Sequence, residues 1–106
     1  MFTIRELSDA ISEAFDGNFR EFYNNISWNS TGIDLSVGTA YRVQDFGGEG
    51  LGNELWVVFK IGDRHFRKQG SYDSWEGGEW DGLLQEVEPF EKTVIDYKGI
   101  GESVYD

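Results

Sequence analysis

Residues 72–81 form the densest run of side chains that could bind a partner. Three aromatic residues are interleaved there with four carboxylates: Tyr72, Asp73, Trp75, Glu76, Glu79, Trp80 and Asp81. Exposed tryptophan and tyrosine side chains supply much of the binding energy at protein interfaces. Carboxylates around them would select a partner rich in arginine and lysine, or a small organic cation held over an aromatic ring. We expect a partner-binding loop here; in the alternative, Trp75 and Trp80 fold inward and cover one end of a sheet.

The only basic cluster precedes this segment and indicates a different kind of site. Its members are Lys60, Arg64, Arg67 and Lys68, with His65 among them. Such a cluster could bind an anion or a phosphate, or it could neutralise carboxylates of the 86–91 region within the same sheet. One face of the predicted sheet could also form a wall of a pocket for a nucleotide-like anion. The residues of this alternative ligand-binding face are Trp56, Lys60, His65 and Arg67.

The sequence contains no recognisable set of catalytic side chains. It has no cysteine and a single histidine, which excludes disulfides, a thiolate nucleophile and cysteine-based metal sites. Glu86 and Glu88 are alternate residues of one predicted strand, and we interpret them as charges that protect a sheet edge rather than as an acid–base pair. The glycine-rich segment 47–52 lacks the Lys-Ser/Thr ending of a phosphate-binding loop. We therefore predict no catalytic residue, no metal and no cofactor, and a binding protein rather than an enzyme.

The charge of the chain determines which partners its surface can attract. The formal net charge is −11, and ten carboxylates but only two cations lie between Asp73 and Asp106. Such a surface repels nucleic acid and anionic membranes and attracts basic protein surfaces. Carboxylates one turn apart on the first predicted helix could also imitate a row of backbone phosphates, as a DNA mimic does. In the alternative, they form an ordinary solvated helix face. These residues are Glu6, Asp9, Glu13 and Asp16.

The N-terminal part of the chain is predicted to be helical. Thr3 followed by Glu6 forms a capping box, and apolar residues then recur at three- and four-residue steps, which predicts a helical segment over 3–26. Gly17-Asn18 interrupts the segment, so one kinked helix and two successive helices both fit. The next residues, 27–38, are rich in Ser, Asn, Thr and Gly and are predicted to form a crossing loop.

The rest of the chain predicts an antiparallel sheet over 39–97. The strand signals are 39–46, 54–61, 64–69, 84–87 and 91–97. Between them lies a long turn-rich segment, 70–82, and after them a frayed tail is predicted over 99–106. The predicted fold class is α+β, with the N-terminal helical segment packed on an antiparallel β-meander of about four to five strands. At this length we expect a single domain over 1–106.

The strongest pair of strands also predicts its own register. A two-residue turn at Gly62-Asp63 would place Ile61 opposite Arg64 and Phe59 opposite Phe66. One face of this pair is then apolar and is assigned to the core, whereas the face with Trp56 and Lys60 is mixed. The apolar face contains Leu55, Val57, Phe59, Ile61 and Phe66. If strand 55–61 lies at an edge of the sheet, it could pair with a second copy and form a homodimer.

Location is predicted from what the sequence lacks. No basic region followed by an apolar run begins the chain, which argues against a signal peptide. The longest uninterrupted apolar run, 55–59, is far too short to cross a membrane. We therefore expect a cytoplasmic protein.

Several short motifs within 57–97 carry a resemblance to a known type of protein. They are Val58-Phe59-Lys60-Ile61-Gly62-Asp63, Phe66-Arg67-Lys68, Gly70-Ser71-Tyr72-Asp73-Ser74, Trp80-Asp81-Gly82 and Glu86-Val87-Glu88-Pro89-Phe90-Glu91-Lys92-Thr93-Val94. With these motifs the chain resembles a type of small protein encoded by tailed bacteriophages, to which no activity is assigned. The resemblance implies a viral origin and action in the cytoplasm of a bacterial host. Small acidic phage proteins are often inhibitors of host machinery, including defence systems.

These observations lead to two hypotheses of different classes. In the first, the chain is a small acidic phage-type accessory protein that binds a host protein with a basic surface and modulates or inhibits it, in an anti-defence or host-takeover role. In the alternative, it is a small-ligand module that sequesters a nucleotide-like signalling molecule.

Overall fold

The computed structural model describes residues 1–28, 31–48, 50–90 and 96–106, and within these ranges the chain has two helices. Helix α1 spans Ile4–Ala14 and helix α2 spans Phe19–Trp28. The predicted capping box is present: the Thr3 hydroxyl accepts a hydrogen bond from the Glu6 amide, and the Glu6 carboxylate accepts one from the Thr3 amide. Asp16 and Gly17 adopt φ angles of 53° and 79°, in the left-handed region that terminates helices. The chain therefore forms two successive helices rather than one kinked helix.

One antiparallel sheet follows, and it has more strands than the sequence predicts. In the described part of the chain the strands are β1 (Ile33–Leu35), β2 (Gly38–Phe46), β3 (Glu54–Ile61), β4 (Arg64–Asp73), β5 (Gly77–Glu79), β6 (Leu84–Phe90) and β7 (Asp96–Val104). Their order is β1-β2-β3-β4-β6-β7, and β5 lies off this path, paired with β4. The predicted α+β meander of about four to five strands is wrong. The described chain is mostly antiparallel sheet, with seven strands and two short helices.

The additional strands lie where the sequence predicts loops. The predicted crossing loop over 27–38 includes β1, and the turn-rich segment 70–82 includes the end of β4 and all of β5. The predicted frayed tail over 99–106 is also wrong, because β7 continues through Val104, whose side chain is buried. Short glycine-rich strands lack the apolar alternation that identifies a strand, and they are held by backbone pairing with their neighbours. Glu49 of the glycine-rich segment and residues 91–95 of the last predicted strand lie outside the described residues.

The predicted pairing of β3 with β4 is confirmed. Gly62-Asp63 joins the two strands, Ile61 lies opposite Arg64, and Phe59 lies opposite Phe66. Gly62 has a φ of 61°, which glycine adopts readily in such a tight turn. Strand β3 also pairs with β2 along its other edge, so it lies in the interior of the sheet. Its backbone is therefore already paired on both sides and cannot pair with a second copy.

The two helices cover one face of the sheet and form the core with it. The Phe59 ring lies 5.6 Å from the Phe22 ring of α2 and 5.7 Å from the Phe66 ring, measured between centroids. Burying one such side chain stabilises the fold by about 1.5–3 kcal/mol. Of the predicted apolar face, Leu55 is only partly buried and the other members are buried. Neither helix of the described chain has the length and apolar character needed to cross a membrane.

Candidate functional site

The predicted partner-binding segment forms a hairpin at the end of β4. Tyr72 pairs with Gly78 and Asp73 pairs with Gly77, so that residues 74–76 make the turn. The Asp73 carboxylate accepts a hydrogen bond from the Trp75 amide at 2.7 Å. Such a bond from an aspartate to the backbone two residues later is a common turn-stabilising contact. The β4–β5 hairpin therefore holds Trp75 at its tip.

Trp75 and Trp80 have different environments. Trp75 is 93% exposed. The Trp80 ring instead packs on Tyr23, with 5.7 Å between ring centroids, and its indole Nε1 donates a hydrogen bond to Asn24 Oδ1 at 2.8 Å. The sequence left open whether both tryptophans face solvent or both fold inward. The structure divides them: Trp75 faces solvent, and Trp80 connects the hairpin to α2.

Four exposed carboxylates accompany Trp75: Asp73, Glu76 and Glu79 lie on the hairpin, and Asp81 follows it by two residues. Asp81 accepts hydrogen bonds from the Ser71 hydroxyl at 3.2 and 3.3 Å. Tyr72 is partly buried, and its amide donates to the Asn53 carbonyl oxygen at 2.9 Å. Among the described residues, no three His, Cys, Asp or Glu side chains are grouped so that they could hold a metal ion. The four carboxylates form a negatively charged surface around an exposed indole.

The basic cluster of the sequence does not exist as a cluster in space, since the sheet divides it between two faces. Arg64 lies on the core side, where Nε and Nη2 each donate a hydrogen bond to the Glu86 carboxylate at 2.9 Å. The Arg64 guanidinium also lies 4.1 Å from the centroid of the Phe2 ring. Hydrogen bonds from Arg64 lower the pKa of the Glu86 carboxyl, and the same bonds raise the pKa of Arg64. This pair agrees with the interpretation that the basic residues neutralise carboxylates of the same sheet.

Lys68 belongs to a buried network that was not predicted from the sequence. Its side chain is fully buried, and Nζ donates to one Asp106 carboxylate oxygen and to the Gly82 carbonyl oxygen, the latter at 2.7 Å. The Tyr23 hydroxyl donates to the other Asp106 oxygen. Burial, together with the Asp106 charge, raises the pKa of Tyr23 well above its usual value. One feature of the sequence indicates the burial of Lys68. Lys68 follows Phe66 by two residues on the same strand, so both side chains lie on the apolar face of the sheet.

The alternative ligand-binding face is only partly assembled. Trp56 and Arg67 line a cavity of about 330 Å³, whereas Lys60 is exposed and the His65 ring lies 6.0 Å from that of Tyr97. Arg67 donates through Nη1 to the Tyr97 carbonyl oxygen and through Nη2 to the side chain of Gln85. Its Nε is buried and has no hydrogen-bond partner among the described residues. The structure therefore brings two of the four predicted residues to one cavity.

The predicted row of carboxylates on the first helix is interrupted. Asp9 and Glu13 are exposed on α1, but Glu6 is engaged in the capping box. Asp16 lies beyond the end of α1, in the turn with positive φ. These positions do not form the regular row that imitation of a phosphate backbone requires.

A groove between α2 and the sheet is a further feature that the sequence did not reveal. We call it the aromatic groove; its volume is about 350 Å³, and its aromatic lining consists of Trp28, Phe46, Trp56, Tyr72 and Trp80. The Phe46 and Trp56 rings stack, with 5.8 Å between centroids and an angle of 15° between planes. These residues come from separate elements, so their proximity depends on strand pairing and has no local signal in the sequence. Trp28, at the end of α2, is 88% exposed.

Comparison with known proteins gives no relative from which a function could be transferred: no protein-family model, curated protein or solved structure matches this chain. The resemblance of 57–97 to phage proteins stays a prediction.

Proposed function

We propose that this protein binds a basic surface of another protein through the β4–β5 hairpin and thereby modulates or inhibits that protein. The observation that supports the proposal is the 93% exposure of Trp75 at the tip of a hairpin whose carboxylates lie in solvent. Burying an exposed indole removes apolar surface from water on the order of 150–250 Å². Tryptophans in this situation are frequent hot spots, each contributing about 2 kcal/mol or more to binding.

The carboxylates have a separate role in the proposed encounter. Within the ranges that the structure describes, Asp73, Glu76, Glu79 and Asp81 form no ion pair with a cation of this chain, so their charges are available to a partner. A net charge of −11 attracts a basic surface over a distance, which increases the association rate at low salt. Trp75 would then provide the desolvated contact that slows dissociation.

The proposed setting is the cytoplasm of a bacterial host, as the resemblance to phage proteins implies. The target would be a host protein with a basic surface, such as a nucleic-acid-binding component of a defence system. We assign the contact to the hairpin rather than to α1, because the row of carboxylates on α1 is interrupted.

Affinity capture from bacterial lysate tests this proposal. Wild-type protein, Trp75→Ala and Tyr105→Ala serve as matched baits, since both substituted side chains are largely exposed and the fold should tolerate their loss. We expect wild type and Tyr105→Ala to retain one stoichiometric protein that a salt gradient releases, and Trp75→Ala to release it at lower salt. Capture of no protein at low salt, or equal retention by all three baits, would contradict the proposal.

One observation supports a second candidate function, the binding of a small planar ligand. The buried Arg67 Nε without a described partner lies beside the cavity that Trp56 and Tyr97 line. Only two of the four predicted ligand-binding residues, Trp56 and Arg67, line this cavity, so this candidate comes second. Thermal melting with a panel of nucleotides tests it. A ligand at 100 times its Kd should stabilise the fold by about 2.7 kcal/mol, and the absence of any shift would contradict it.

A further inference from the structure

The aromatic groove lies next to the proposed hairpin and shares residues with it. Tyr72 and Trp80 belong to the β4–β5 region and also line the groove, whereas Trp75 does not. A volume of about 350 Å³ falls in the range of small-ligand sites. The groove is therefore a concave surface beside a protruding tryptophan, and one partner could contact both.

The groove combines aromatic rings with charged residues of both signs, and carboxylates are the more numerous of these in and around it. Asp45 lines it, and Glu54, which lies outside the lining, accepts a hydrogen bond from Nε1 of the groove residue Trp56 at 3.0 Å. Arg20 is the one cation among the described residues that line the groove, and it also lines a second depression together with Glu79 and Asp81. The aromatic faces and the carboxylates both favour a cation, since ring faces carry negative potential.

We infer that the aromatic groove binds an arginine side chain of the partner protein. The choice of arginine rests on the proposed function, which requires a basic partner. A guanidinium group is planar and weakly hydrated, so it stacks on indole and phenol rings at a smaller desolvation cost than an ammonium group. Its remaining N–H groups can donate to Asp45, whose side chain is partly exposed beside its ion pair with Arg42. The aliphatic stem of the arginine would lie along Leu55, which also lines the groove.

The four tryptophans allow a direct test by NMR, because each indole Nε–H gives its own signal. The probe is a capped Gly-Arg-Gly peptide, and the matched control replaces arginine by citrulline, which has nearly the same shape and no charge. We expect the arginine peptide to shift the indole signals of Trp28, Trp56 and Trp80 and to leave that of Trp75 in place. The citrulline peptide should bind at least about fivefold more weakly.

Two variants locate the site. Trp28→Ala removes an exposed groove residue and should weaken binding of the arginine peptide about fivefold, whereas Trp75→Ala, equally exposed but outside the groove, should change it less than twofold. Equal affinity for the two peptides, shifts confined to Trp75, or no shift with either peptide would overturn the inference. If Trp28→Ala altered the fold, the comparison of the two peptides on the wild-type protein would still decide. The titration uses no captured partner, so failure of the groove and failure of the hairpin proposal are distinguishable.

Discussion

Substituting Asp106 by alanine tests whether the buried network stabilises the fold as the structure indicates. The Asp106 carboxylate accepts hydrogen bonds from Lys68 Nζ and from the Tyr23 hydroxyl, and the side chains of Lys68 and Tyr23 are fully buried. Asp106→Ala leaves a buried ammonium group whose remaining acceptor is the Gly82 carbonyl oxygen. Removing one partner of a buried ion pair costs about 3–5 kcal/mol. That loss is a large part of the roughly 5–15 kcal/mol by which domains are stable.

Urea denaturation and thermal melting measure this effect. Since 1 kcal/mol changes the Tm of a domain of this size by about 4–8 °C, we expect Asp106→Ala to lower the Tm by at least about 12 °C. Glu102→Ala is the matched control, because it removes a carboxylate from an exposed ion pair: Glu102 Oε1 lies 4.0 Å from Arg5 Nε, and both side chains are exposed. Its free energy of unfolding should change by no more than about 0.5 kcal/mol. A loss below about 1 kcal/mol for Asp106→Ala would refute the reasoning.

A double substitution separates the charge from the packing. Lys68→Met with Asp106→Leu removes both charges and fills the space with apolar groups, and such replacements of buried pairs are often neutral or stabilising. We expect the double variant to be at least about 2 kcal/mol more stable than Asp106→Ala. Equal stability of the two variants would show that packing, and not an uncompensated charge, causes the loss.

Three further perturbations test other parts of the structure. The pKa of Tyr23 is raised above its usual 10.0 in the folded state, so above about pH 10 the folded protein retains a proton that the unfolded chain loses. The free energy of unfolding should therefore fall as the pH rises above about 10. In urea titrations at alkaline pH, Tyr23→Phe should show a smaller fall than the wild type. Arg64 lowers the pKa of Glu86, so the stabilisation due to this carboxylate is present above pH 4.5 and is lost on further acidification. Between about pH 5 and 2, the free energy of unfolding of Glu86→Gln should therefore fall less than that of the wild type. A Cβ at residue 70 would lie 2.2 Å from the Glu79 carbonyl oxygen. Gly70→Ala should therefore separate β5 from β4 and lower the free energy of unfolding by about 1–3 kcal/mol in urea denaturation. An unchanged midpoint would contradict this close approach.

The elements that local patterns encode could be predicted from the sequence. The capping box at Thr3 and the register across Gly62-Asp63 depend on residues close together in the chain, and both occur in the structure. Strands β1, β5 and β7 could not be predicted in the same way. They are short or glycine-rich, and their hydrogen bonds come from neighbouring strands rather than from a local apolar alternation.

The candidate sites could be predicted only as far as local segments extend. The hairpin was recognisable because its aromatic and acidic residues are consecutive, but the separation of exposed Trp75 from packed Trp80 depends on Tyr23 and Asn24 of α2. The aromatic groove and the buried Lys68–Asp106 pair join residues that are distant in sequence. Contacts of this kind follow from the order of strands in the sheet, which composition and spacing do not specify.

The most direct test of the proposed function is the affinity of the captured protein for the wild type and for Trp75→Ala, measured at low and at physiological salt. If Trp75 is the central contact, its substitution should raise the Kd at least about 30-fold, mainly through faster dissociation, because hot-spot residues contribute about 2 kcal/mol or more. Higher salt should weaken both complexes, since carboxylates of the hairpin attract the basic partner. An unchanged Kd for a correctly folded Trp75→Ala would contradict the assignment of binding to the β4–β5 hairpin.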